Sequence, residues 1–296
     1  MSSCGASTVT SRLVILGSAG GPTPKLNRNA AAHALVLGEH TSVIDCGNGV
    51  GGQLVRAGIP LASIRRIWIT HHHIDHVADF GLLIHQSWAL LTQPVEVIGP
   101  PPIARMMELY LELFAQDIRY RMADEGRPDL RELIRVREIA EAGEIVDDEQ
   151  MRVRCVLVDH PPVEKVFAYR FDTPSGSVVF SADTVPTRSL GALARGADIL
   201  VHESLYLDDA EKYLPAARVL PIVNRMLRVH SQPEGAGRIA REAGVRMLIL
   251  SPVGAFGPID EKRLKRRAAA HFDGKILIGR DLLEIDLPLP AAERRA

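Results

Sequence analysis

The sequence predicts an α/β protein of four layers, αβ/βα, and three observations carry the prediction. Short apolar segments in strand style occupy both halves of the chain. Each half then passes into segments of helical periodicity. No Pro/Ser linker or low-complexity tract divides residues 1–296, so they read as one domain. With 46% hydrophobic and 24% charged residues, the chain has ample material for a buried core.

The elements follow in order. Strand Leu13–Leu16 runs into the loop Gly17-Ser18-Ala19-Gly20-Gly21-Pro22. Ala34–Leu37 and Ser42–Ile44 flank Gly38-Glu39-His40, a hairpin signal. Ile64–Thr70 is a strand, Ala78–Leu91 is apolar and long enough for a helix, and Val95–Ile98 is a short strand. From Ile103 to about Glu141 the pattern turns helical, with Met106, Met107, Tyr110, Leu111, Leu113 and Phe114 on one face. This stretch, 103–141, reads as a helical insertion or lid that covers or borders the site. Its apolar face suggests an aromatic or otherwise hydrophobic substrate. In the second half Val153–Val158, Val166–Phe171, Ser177–Ser181, Ile199–His202, Arg246–Leu250, Lys275–Ile278 and Leu282–Ile285 read as strands. Glu234–Ala243 and Asp260–Phe272 read as helices, and the tail Ala291–Ala296 as frayed.

Charge and cysteines narrow the setting. The formal net charge is −1, from 35 basic and 36 acidic side chains, which asks for no polyanionic partner. Cys4, Cys46 and Cys155 are too scattered for a disulfide framework, so reduced thiols are expected. The first residues lack the basic start and apolar core of a secretory signal, and no apolar run approaches the ~20 residues a membrane span needs. A cytoplasmic protein without membrane contact is expected.

The chemistry concentrates in His71-His72-His73-Ile74-Asp75-His76. Metal ions of the zinc type need neutral imidazoles and carboxylates that converge from several directions. In extended chain after a strand, His71 and His73 share a face while His72 points away. Asp75 and His76 then fall at the start of the next helix and turn toward a second position. His160 and Asp183 follow later strands, as ligands at a sheet edge would.

These residues resemble the metallo-β-lactamase superfamily, whose HxHxDH motif is followed by a later His, a bridging Asp and a final His. The early elements Leu16-Gly17-Ser18-Ala19-Gly20 and Val43-Ile44-Asp45-Cys46-Gly47 are similar to that family's strand-turn units. The resemblance implies its αβ/βα sandwich, with His71, His73 and His160 on one metal and Asp75, His76 and bridging Asp183 on another. Zn2+ is the expected ion, one or two per chain, with Mn2+ or Fe2+ as alternatives. His202-Glu203-Ser204 and His230-Ser231 resemble the branch that holds ribonuclease Z, arylsulfatase-type hydrolases and hydrolytic chlorothalonil dehalogenase. In that branch the second His acts on the leaving group or the substrate oxyanion, and a homodimer is implied. One departure is plain: Leu250-Ser251-Pro252-Val253 puts Pro252 where the branch carries its last ligand.

The expected activity is metal-assisted hydrolysis, in which an ion brings the pKa of a coordinated water toward ~7. Asp75 would orient that water or take its proton, and His230 would assist the departing side. Asp45, His202 and Glu203 are candidate carboxylate and imidazole supports behind the ligands. Three functions compete. The first is hydrolysis of a small-molecule ester-like or aryl substrate, which the charge balance favours. The second is tRNA 3′-processing nuclease activity. Near-neutral charge and the lack of a long basic, glycine-rich arm argue against it, although Arg263–Arg267 and Arg119–Arg121 could touch phosphates. The third is metal binding without catalysis, prompted by Pro252.

Overall fold

A computed structural model describes residues 11–289. Cys4 and the tail Ala291–Ala296 lie outside the described residues. The first half contains β1 (Ser11–Gly17), β2 (Ala19–Gly20), β3 (Ala32–Leu37), β4 (His40–Ile44), α1 (Val50–Arg56), β5 (Ile64–Trp68), α2 (Ile74–Val77), α3 (Phe80–Ser87), β6 (Val95–Gly99), α4 (Ile103–Leu113), α5 (Ala115–Glu125) and β7 (Ile134–Glu138). The second half contains β8 (Gly143–Asp147), β9 (Arg152–Leu157), β10 (Phe167–Thr173), β11 (Gly176–Phe180), α6 (Arg188–Ala194), β12 (Ile199–Tyr206), α7 (Ala216–Val229), α8 (Pro233–Ala243), β13 (Met247–Ala255), α9 (Glu261–Ala269), β14 (Lys275–Ile278) and β15 (Leu283–Leu287).

Two sheets result, ordered β15-β1-β3-β4-β5-β6-β7 and β14-β13-β12-β11-β10-β9-β8, with β2 alongside β13. Each sheet is antiparallel on one side and parallel on the other: β4 to β7 run parallel in the first, β11 to β14 in the second. Parallel neighbours cannot be joined by a tight turn, so each pair needs a crossover, and helices supply them. α1, α3 and the α4–α5 pair serve the first sheet; α6, α7–α8 and α9 serve the second.

Strand alternation sorts the apolar side chains into layers. Leu13, Ile15, Trp68 and Ile98 face the second sheet and meet Phe167, Tyr169, Phe171 and Ile249. Val14, Leu16, Ile67 and Val97 face outward onto the first helix layer. Leu200, Leu248 and Leu250 face the second helix layer, where Ile239, Ala240 and Leu264 cover them. The four layers predicted from the sequence are present. Trp68 sits at the centre of the middle layer, edge-on to Tyr169 and Phe171 at 5.6 and 5.2 Å between ring centroids, and donates from Nε1 to Ser42 Oγ.

The segment 103–141 differs from its predicted form. Its α-helices end with α5, and a 3-10 turn at Leu130–Leu133 follows; Ile134 and Val136 then alternate with Arg135 and Arg137 along β7, which extends the first sheet. As the β6–β7 crossover, α4 and α5 must lie on that sheet's outer face. Ile103, Met107 and Ile118 are buried there. No helix among the described residues is long and apolar enough to cross a membrane. Cys46 and Cys155 are buried free thiols.

Candidate metal centre

Open α/β sheets present their ligand sites beyond the carboxyl ends of the parallel strands. Here those ends converge from both sheets. β5 delivers His71 and His73, and α2 immediately carries Asp75 and His76. β4 leads to Asp45, β11 leads to Asp183, β12 carries Glu203, and β9 leads to His160. Two turns leave the usual backbone regions to make this possible: Asp45 and Ala182 both take φ of 58°. A non-glycine residue in such a conformation costs about 1–3 kcal/mol and persists only where its surroundings impose it.

His71 Nε2 lies 3.1 Å from His73 Nδ1, and His160 Nε2 lies 3.2 Å from the same atom. Together with an Asp183 oxygen, these atoms fall within 4.8 Å of one another. Their hydrogen-bond partners fix what they offer. His160 Nδ1 donates to the Val229 carbonyl at 2.7 Å, so its Nε2 is a bare lone pair. Thr70 Oγ1 has one proton and two Asp45 oxygens at 3.0 Å to receive it, so it accepts from His71 Nδ1 at 3.0 Å. His71 Nε2 is then also a lone pair. Burial lowers the pKa of His71, His73 and His160, which keeps them neutral. One proton on His73 Nδ1 would have to be shared between the other two nitrogens, whereas a single cation could engage all three. Nitrogen ligands about 2.0–2.1 Å from a tetrahedral zinc stand about 3.3 Å apart, close to what is observed.

A second acceptor cluster adjoins the first. His76 Nδ1 donates to Asp45 Oδ2 at 2.7 Å, which turns Nε2 toward Asp75 Oδ2 at 3.6 Å and Asp183 Oδ2 at 3.4 Å. That Nε2 is buried and, among the described residues, has no hydrogen-bond partner. Burial opposes charge on His76, yet Asp183 and Asp45 outweigh it and raise the pKa well above the ordinary value. The pocket asks for positive charge, which a proton or a metal ion can supply. Asp45, Asp75, Asp183 and Glu203 are all buried. An uncompensated buried charge costs several kcal/mol, so this density of carboxylates fits a centre built for cations.

The family described as the beta-lactamase superfamily domain matches residues 40–251, and the metal-ligand motif lies inside that span. The chain belongs to the metallo-β-lactamase superfamily. It is 33% identical to the ribonuclease Z of Mycobacterium bovis over 280 residues, 93% of this chain and 98% of the relative. It is 34% identical over 281 residues to the ribonuclease Z of a Mycobacterium species, covering 93% and 95% of the two chains. Among solved structures, the metallo-β-lactamase fold protein YhfI of Bacillus subtilis gives a TM-score of 0.70 at 21% identity, covering 94% of this chain and 99% of that one. The short form of human tRNase Z gives 0.68 at 20% identity, covering 94% and 100%. The chain is thus a hydrolase of the metallo-β-lactamase fold. The expectation of a small molecule as its main partner is overturned by relatives that match almost end to end and are named as ribonucleases.

That expectation rested on overall charge, which averages over the surface. In this superfamily member the centre forms the floor of a cavity of about 720 Å³, reached by His73, Asp75, His160, Asp183 and His230. Gly20 and Gly21 form one rim, and the Gly21 N–H donates to Asp75 Oδ2 at 2.9 Å. α7 forms the opposite wall through Arg218, Ile222, Arg225, Met226 and Val229, while 103–141 contributes nothing to the lining. His230, at the end of α7, stacks against His160 at 4.6 Å between centroids and donates from Nδ1 to Glu203 Oε1 at 3.1 Å. Burial works against its charge, but Glu203 and then Asp183 dominate and raise its pKa to about 9. Glu203 Oε1 also accepts from the backbone N–H groups of Thr184 and Ser231 at 3.1 and 2.9 Å.

Of the residues predicted from sequence, His202 is the one held apart. Among the described residues its ring makes no hydrogen bond or ring contact with a candidate ligand; Nδ1 donates to the Glu203 carbonyl at 2.7 Å. Burial lowers its pKa to about 4. β12 places successive side chains on opposite faces, so Glu203 reaches the centre and its neighbour does not. Pro252 lines the cavity and adds no side-chain ligand beside Asp75, His76 and Asp183. Sequence reasoning missed Thr70, although its place directly before the histidines was a usable signal.

Asp45 is the pivot of this arrangement, holding His76 directly and His71 through Thr70. Asp45→Asn preserves shape but must turn an amide N–H2 toward one of these donors. Metal affinity is expected to fall about 10- to 100-fold, measured by competition with a chromophoric chelator. Unchanged affinity would show that the imidazoles need no such support.

Proposed function

We infer that this chain is a metal-dependent endoribonuclease that removes 3′ extensions from precursor tRNA. The observation that carries the reading is 33% identity to a ribonuclease Z over 93% of this chain and 98% of that relative. The acceptor geometry supports a metal centre in which His71, His73 and His160 would hold one ion and Asp75, His76 and Asp183 a second. An imidazole-rich set suits Zn2+, with Mn2+ or Fe2+ as alternatives. With Pro252 in place, the second position has fewer protein ligands and the weaker hold.

When bound, the metal supplies Lewis acidity at the phosphoryl oxygens and an acidified water. The chain's own residues do the rest. Asp75, fixed by the Gly21 N–H, accepts the proton of the attacking water. His230, oriented by Glu203, faces the cavity and gives its proton to the departing oxygen. Reduced buried thiols at Cys46 and Cys155 suit a cytoplasmic setting. Leu220 and Leu227, exposed on α7, offer apolar area for a homodimer contact.

A precursor tRNA transcript with a 3′ trailer tests the reading. One cut at the trailer boundary is expected, abolished by chelator and restored by added Zn2+. A trailer left intact under all metal conditions would overturn the nuclease reading.

A further inference from the structure

The basic clusters that stand out in the sequence are partly spent on carboxylates. Arg263 pairs with Asp208, Arg267 with Asp208 and Glu234, and Arg121 with Asp117 and Glu125. Two arginines that the sequence does not advertise are different. Arg218 and Arg225 line the cavity, and among the described residues their side chains form no ion pair or hydrogen bond.

Both lie on one stripe of α7. Residues 218, 222, 225, 226 and 229 fall within an arc of about 100° at 3.6 residues per turn, and all five line the cavity. The arginines are seven positions apart, about 10 Å along the axis, enough to reach separate anionic groups. Ile222 lies between them and Met226 just beyond. The floor below carries Asp75, Asp183 and Glu203, which would repel an approaching phosphodiester unless positive charge stood nearby.

We propose that Arg218 and Arg225 grip substrate phosphates on either side of the scissile one, and that the apolar surface between them receives an unpaired base. This rests on the nuclease reading and extends it to the shape of the substrate. A cavity of about 720 Å³ falls in the range that takes a compact ligand, a size that suits a single splayed nucleotide. α7 thus sorts RNA by structure: phosphate contacts hold the strand in register and the apolar wall tolerates any base. The arginines are substrate-binding residues, and among the described residues they form no hydrogen bond or ion pair with a candidate metal ligand.

The test follows a fluorescein-labelled single-stranded oligouridylate by anisotropy across a potassium chloride series, with intact protein. Arg218→Ala and Arg225→Ala are each expected to reduce the slope of log affinity against log salt by about 0.7, and the double variant by about 1.4. The lysine variants should recover the slope, KM for precursor tRNA should rise while kcat holds, and zinc content should stay at the wild-type value. An unchanged slope in the double variant overturns the proposal and leaves the nuclease reading intact. If wild-type protein binds and cuts no RNA, the nuclease reading fails instead. The KM for bis(p-nitrophenyl) phosphate then decides the arginines: a rise in the double variant sustains them as phosphodiester contacts, and no change removes them.

Discussion

Replacing His71 with alanine is expected to empty the three-histidine position and lower turnover by about a thousandfold. His71 is fully buried, and its Nε2 is one of the lone pairs that face one another at the floor. A catalytic metal stabilises developing charge by several kcal/mol, and about 4 kcal/mol corresponds to about 10³ in rate. Elemental analysis of protein purified without chelator, beside turnover of precursor tRNA, reads both effects. His76→Ala supplies the contrast. Metal lost from His71→Ala but retained in His76→Ala would describe a single tight ion. Loss in both would describe two ions despite Pro252. Wild-type metal content in His71→Ala would remove this histidine from the centre.

His230→Ala should leave metal content unchanged and lower kcat by about 10²–10⁴, the range for removal of a positioned proton donor. The prediction separates proton transfer from metal binding, since His230 contacts His160 only through its ring and spends Nδ1 on Glu203. Glu203 remains satisfied by the Thr184 and Ser231 N–H groups, so the substitution strands no buried carboxylate. The fold therefore survives and the loss is chemical. Single-turnover rates at saturating substrate check it. A rate equal to wild type would mean that the leaving oxygen departs without help from this side chain.

Much of this was legible before the structure, for physical reasons. The first three layers follow from alternation in segments such as Leu13–Leu16 and Ile64–Thr70, where opposite faces meet different apolar layers. The histidine cluster was legible because four candidate ligands fall within six residues of one loop. β7 was hidden by the helices before it, though Ile134 and Val136 between arginines carry its period of two. α7 was hidden by Pro221, six residues into the helix, where proline removes a backbone bond and normally ends helical structure. With α7 unseen, the cavity wall was assigned to 103–141 and the unpaired arginines went unnoticed. The small-molecule expectation had a different source, the near-neutral net charge of −1.

The candidate ligands stand on both sides of the seam between the two sheets: His71, His73, Asp75 and His76 follow β5, while His160 and Asp183 follow β9 and β11. An ion held there acts as a clasp between the halves as well as a reagent. A ligand bound only by the folded chain adds about 2.7 kcal/mol at a hundredfold excess over its dissociation constant. Without it, the same floor brings acceptor lone pairs and carboxylates against one another across the seam. The cellular supply of metal would therefore govern how long the molecule lasts, and scarcity would thin the population of intact chains as well as slow the survivors.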